Sequence, residues 1–170
     1  VYALFFLPHA AAMLPLAPTP DGLRRLARYD AWANRRLAAV LRDDHERPLR
    51  LLAHAAESEL VWLRRIDGSQ PANRTADFWP TVDAAGCRAL LERAAGVLGV
   101  FVADLTENGL RAEAVYRNSK GVEHRTPVAD VLTHVLLHSH YHRGQAAAAL
   151  RTLGVDPLWT DFIAFARQET

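Results

Sequence analysis

The stretch Thr126-Pro127-Val-Ala-Asp-Val131-Leu-Thr-His134-Val-Leu-Leu-His138-Ser-His140-Tyr-His142-Arg-Gly-Gln145-Ala-Ala-Ala-Ala149-Leu-Arg-Thr-Leu153-Gly154 decides the fold. It opens on a proline suited to a first helical turn and closes near a glycine suited to a helix end. With about 100° per residue and Val131 at zero, Ala149 falls at about 0°, Val135 and Leu153 at about 40°, and Val128 and Ala146 at about 60°. This stripe is predicted to face a core. His142 at about 20° and His138 at about −20° lie within it, while His134 sits on its edge at about −60° and His140 at about 180° faces solvent.

The pattern therefore singles out two of four histidines. A lone core histidine is more often a hydrogen-bonded packing residue than a ligand. Two on successive turns, in a stripe that otherwise supplies alanine and valine, both need polar partners. One shared cation satisfies both, because imidazoles at i and i+4 present nitrogens to a common point. Two ligands are too few for a stable site of the zinc type, so a third must come from another helix. His54 is the only other histidine in a predicted helix; His9, His45 and His124 fall in the N-terminal tail, a loop and a hairpin. His54 lies on the flank of its helix's apolar face near Leu51, Ser58 and Trp62, where an edge histidine bonded to a neighbour is the plainer alternative. Glu59 sits near the middle of that face. It either orients a ligand histidine from behind or pairs with an arginine such as Arg143 and serves only the fold.

Outward from this helix the chain reads as three more. Thr19-Pro20-Asp21 caps the first, which carries Leu23, Leu26, Ala33, Leu37 and Val40 at helical spacing. A second is predicted over about Leu49–Ile66, ending at Asp67-Gly68, and residues 69–80 read as a long loop. A third is predicted over about Val82–Leu105, ended by Asn108-Gly109. Ala114 to Thr126 alternates around Ser-Lys-Gly and reads as a small β-hairpin. A short apolar piece, Leu158–Ala166, closes the chain. The expectation is an all-α four-helix bundle over residues 19–170, with a hairpin between the third and fourth long helices and a short C-terminal helix.

The 170 residues suit one domain, and half of them are hydrophobic, enough for a sizeable core. Twenty basic against 19 acidic residues leave a formal charge of +1. That balance argues against a nucleic-acid or anionic-membrane surface. A single cysteine, Cys87, allows no internal disulfide and fits a reducing cytoplasm. Residues 1–18 form an apolar segment with no basic start and with Pro8 and Pro15 inside it, unlike a secretory signal or a membrane helix of about 20 unbroken apolar residues. It is expected either to pack on the bundle or on a neighbouring chain, or to reflect a misassigned start, since the first methionine is Met13.

The run from His134 through His138 and His142 to Gln145 resembles the HxxxHxxxHRGQ signature of the DinB family. Arg28-Tyr-Asp-Ala-Trp-Ala-Asn34 is similar to that family's Y-x-x-W-A-N start. His54 with Glu59, Trp62 and Leu63 resembles its H-x4-D/E-x2-W-L helix. Tyr116 to Gly121 resembles its hairpin, and Leu153 to Phe165 its ending. The resemblance covers about residues 20–168 and is specific because the blocks occur in order. It departs at Leu137, where many relatives have asparagine, and at Tyr141, where many have histidine.

The resemblance implies a DinB/YfiT-like bundle, often a homodimer, with one zinc- or nickel-type ion on His54, His138 and His142. It leaves His134 to the pocket or the ligand surroundings. Arg143 and Gln145 flank the ligand face and are candidates to bind a substrate carboxylate or amide, or, for Arg143, to form a salt bridge. A metal on three neutral imidazoles lowers the pKa of bound water toward 7 or holds a thiolate. Thiol-dependent isomerases and transferases among relatives favour S-transfer with a low-molecular-weight thiol to a small-molecule substrate. The rivals are a hydrolase and a damage-inducible metal-binding protein without turnover.

Overall fold

The computed structural model describes residues 18–69, 78–118 and 120–169. Residues 1–17 of the expected extension, 70–77 of the expected loop and Ser119 of the hairpin turn lie outside the described residues. Helix α1 spans Pro20–Ala38, and the Thr19 side chain accepts from the Gly22 amide at 3.1 Å, as its cap position predicts. Helix α2 spans Glu46–Ile66 and starts earlier than expected. Pro48 falls inside its first turn, where a missing amide costs no intrahelical bond, instead of ahead of it. Gly68, at φ 74°, turns the chain away after α2.

Helix α3 spans Ala84–Ala103, capped by Asp83 Oδ1 on the Gly86 amide at 2.7 Å. Asn108-Gly109 does not end it. Thr106 caps a fresh turn, α4 (Glu107–Arg111), by accepting from the Gly109 amide at 3.1 Å. Strands β1 (Glu113–Arg117) and β2 (Glu123–Pro127) pair antiparallel with Tyr116 opposite His124. Asn118 Oδ1 accepts from the amides of Lys120 and Val122, and Gly121 takes φ 77°, which closes the turn. The long helix α5 spans Val128–Thr152 and α6 spans Phe162–Ala166.

The four long helices pack as a bundle, α5 chiefly on α2, α2 on α3, and α1 on both α3 and α5. One apolar cluster holds Leu37, Leu52, Cys87, Leu91, Ala146 and Leu150; a second holds Leu23, Leu63, Leu98, Val131 and Leu132. Along α1 and α5 these clusters are separated by buried polar groups: Asp30 and Asn34 on the one, Ser139 and Arg143 on the other. The buried arc of α5 is thus wider than its apolar stripe and runs on to Arg143 at about 120°. His138 and His142 consequently lie toward one border of it, where the bundle opens. Leu153, expected on the stripe, is 51% exposed, because α5 ends at Thr152 and Gly154 at φ 73° reverses the chain. Helix α6 lays Phe165 against Tyr29 and Trp32 of α1, and the Tyr29 hydroxyl donates to the Thr160 carbonyl at 2.9 Å. Among the described residues no helix is long and apolar enough to cross a membrane.

Candidate metal centre

His138 and His142 stand one turn apart on α5, with their Nε2 atoms 3.2 Å apart. His54 faces them from α2, its ring centroid 5.0 Å from that of His138 and 4.6 Å from that of His142. One ring nitrogen from each of the three lies within 4.8 Å of the others. Two ligands at about 2.0–2.1 Å from a tetrahedral ion are separated by roughly 3.4 Å, so the His138–His142 spacing fits a shared cation.

The far sides of two rings are held. His142 Nδ1 donates to Gln145 Oε1 at 2.9 Å, and His54 Nδ1 donates to the Phe78 carbonyl, with Ser58 Oγ at 3.4 Å from the same nitrogen. A proton on Nδ1 leaves the lone pair on Nε2, the atom that faces the cluster. Trp79 stacks on His54 with centroids 3.7 Å apart and planes 5° from parallel, which fixes the ring's tilt. Burial, together with the neighbouring His142, His54 and His134, pushes His138 down to about 4, and burial also lowers His142. Such imidazoles are neutral at pH 7, the form that ligates metal.

His134 lies farther along α5, exposed, 5.5 Å from His138 and 5.2 Å from Trp62 between centroids. It joins the rim of the cluster. His140 is exposed on another side of the helix, as its angle predicts. Tyr141, one of the departures from the family pattern, is 62% exposed with its ring 5.2 Å from that of His142; Leu137, the other, is 64% exposed.

Arg143 and Glu59 lie in the buried polar layer of the bundle. One terminal nitrogen of the Arg143 guanidinium donates to Asp30 Oδ1 at 2.6 Å and to Asn34 Oδ1 at 2.9 Å on α1, and the other lies 3.3 Å from His140 Nδ1 on its own helix. Arg143 takes Asp30 as its ion-pair partner, and Glu59 Oε1 is buried without a hydrogen bond. Burial first, and the Asp30 charge second, hold the Glu59 carboxyl well above the usual carboxylate range, with Arg143 acting the other way. His45, placed in a loop by the sequence, is 1% exposed at the head of α2, where its Nδ1 accepts from the Arg42 amide at 3.2 Å.

A cavity of about 350 Å³ opens beside the cluster, reaching His54 and His138 at one side. Its wall is Trp62, Arg65, Phe78 and Tyr116, with Asn118 and His124 of the hairpin at its edge. Trp62 meets the Tyr116 ring edge-on at 5.1 Å, which seats the hairpin on α2. Sequence reasoning missed Arg65, Phe78 and Trp79. The adjacency of Arg65 to the Trp62-Leu63 pair was an available signal; nothing in the periodicity located Phe78 and Trp79.

No curated protein matches the chain. The profile of the DinB family matches residues 45–170. The match begins at His45 and includes the three clustered histidines, while the Arg28–Asn34 block precedes it. By that match, with the helical bundle and the histidine cluster on its inner face, the chain belongs to the DinB family.

Proposed function

We propose that His54, His138 and His142 bind one divalent ion, zinc or nickel, and that the site transfers a low-molecular-weight thiol to a small electrophilic substrate. The observation that carries this reading is the meeting of three imidazoles from two helices beside an open cavity. When bound, a cation on three neutral ligands keeps its full charge and supplies Lewis acidity at an open position.

The chain's own part is positional. Gln145 and the Phe78 carbonyl fix the tautomers of His142 and His54, and Trp79 covers one face of His54. The aromatic wall offers a dry surface to the substrate. The nucleophile must come from outside, since Cys87, the single cysteine, is fully buried and its burial pushes the thiol up to about 11. In the transfer, the thiol sulfur bonds to the electrophilic carbon, the leaving group departs with its electron pair, and the thiol proton passes to solvent.

Metal analysis of the purified protein against His138→Ala tests the site: about one ion per chain is expected in the wild type and far less in the variant. Equal content in both removes it. A panel of thiols with electrophilic substrates, run with and without chelator, tests the chemistry. Absence of any chelator-sensitive thiol consumption would assign the chain to passive metal binding.

A further inference from the structure

We propose that the chain's own residues 14–16 dock in the apolar groove between α1 and α5, with Leu14 and Leu16 as the side chains that fill it. This groove is separate from the histidine cluster. Its volume is about 360 Å³, and its apolar walls include Leu23 and Leu26 of α1 and Leu136 and Leu137 of α5. With Val131 at zero, the α5 residues that line it fall between about 140° and 240°, the side away from His138 and His142. Leu26 is 37% and Leu137 64% exposed, so both walls keep leucine surface that the described residues leave uncovered.

Three features name the occupant. First, polar side chains in the lining have partners of their own. The Tyr29 hydroxyl donates to the Thr160 carbonyl at 2.9 Å, the Thr133 hydroxyl donates to the Ala129 carbonyl at 2.8 Å, and Asp30 accepts from Arg143 at 2.6 Å. What the groove offers is chiefly apolar contact. Second, the chain enters at its edge. Pro18, the first described residue, is part of the lining, so the residues just before it are tethered there with no intervening linker. Leu16 is two residues and Leu14 four from Pro18, within about 7 and 14 Å of it on an extended chain. The stretches that line the groove, Leu23 to Asp30 and Thr133 to His140, are each about 10 Å long. So short a tether holds the two leucines at high effective concentration over the groove. Third, the sequence suits it. Residues 1–17 contain no Asp, Glu, Lys or Arg. Pro15 and Pro18 bias Leu14 and Ala17 toward extended backbone, on which Leu14 and Leu16 share one side. Pro15 also brings no amide that an apolar groove would leave unpaired.

Thermal unfolding of whole-chain variants tests the docking. Leu14→Gln with Leu16→Gln should lower the unfolding midpoint by about 4 °C or more, and Leu26→Gln with Leu137→Gln by a similar amount. In a chain that carries all four substitutions the loss should be close to that of one pair, because each pair removes the same contact. The difference between the wild type and the Leu14 and Leu16 variant should stay constant over a range of about a hundredfold in chain concentration. Hexanol, as an apolar probe, should raise the midpoint of that variant more than that of the wild type. The proposal is overturned if the Leu14 and Leu16 variant keeps the wild-type midpoint, or if the losses of the two pairs add. It is also overturned, in favour of a second copy, if the difference vanishes on dilution and sedimentation shows a dimer that the Leu14 and Leu16 variant breaks. Equal stabilisation of the wild type and the variant by hexanol would overturn it in favour of a free apolar ligand.

Discussion

Arg143 and Asp30 face each other at 2.6 Å in the middle of the bundle, with side chains 2% and 5% exposed. They join α5 to α1 at the level where the two apolar clusters part, and Asn34 completes the contact by donating to Asp30 Oδ2 at 2.7 Å and accepting from Arg143. The residue after His142 is therefore tied to the fold.

Removing one member of such a pair leaves the other charge buried and uncompensated. Arg143→Met should destabilise the protein by about 3–5 kcal/mol. Urea unfolding of Arg143→Met, Asp30→Asn and the double variant measures the coupling. The double variant is expected to be more stable than the Arg143 single variant, since it removes the orphaned carboxylate. Additive losses would show that the pair is not coupled.

The helix that holds this pair was legible in outline. Its period and its punctuation fix where α5 begins and ends within a residue or two, and the stripe arithmetic separates His138 and His142 from His140. The sequence left Arg143 between a substrate contact and a salt bridge, and the structure gives the salt bridge. Its partners Asp30 and Asn34 could not be named, because they arrive from α1 by tertiary packing. The position of Glu59 on the apolar face was clear, but its nearest charges, Asp30 and Arg143, were not. The histidine triad was legible because elimination left His54 as the only other helical histidine. Its supports, the Phe78 carbonyl and the Trp79 ring, sit in a segment without helical period, where sequence gives no direction to a side chain. Asn108-Gly109 misled because a capping threonine two residues earlier restarts the helix.

Glu59 makes stability depend on pH in a definite direction. Its carboxyl titrates near 4.5 when unfolded and well above that in the folded bundle, held there by burial and by Asp30. The folded state thus keeps a proton that the unfolded state releases, and its stabilising contribution is complete below about pH 4.5 and declines as pH rises through the folded value. Glu59→Gln lacks this proton and should not share the decline. Unfolding midpoints from pH 5 to 9 are expected to move in favour of the glutamine variant as pH rises. A difference between the two proteins that stays constant with pH would refute a protonated Glu59.

Gln145 is a positioning residue, because it touches His142 and not the cluster's centre. Its Oε1 holds the Nδ1 proton and so keeps the lone pair on Nε2. Outer partners of this kind typically contribute 10- to 100-fold in metal affinity. Gln145→Leu preserves the helix and approximate volume but deletes the acceptor, so its zinc affinity in chelator competition should fall by about that factor with helical content unchanged. Gln145→Glu restores an acceptor, and a stronger one, and should recover the lost affinity. A purely structural glutamine would behave differently: leucine and glutamate would then shift thermal stability while leaving zinc affinity at the wild-type level, and His142 would have to be oriented by its packing alone.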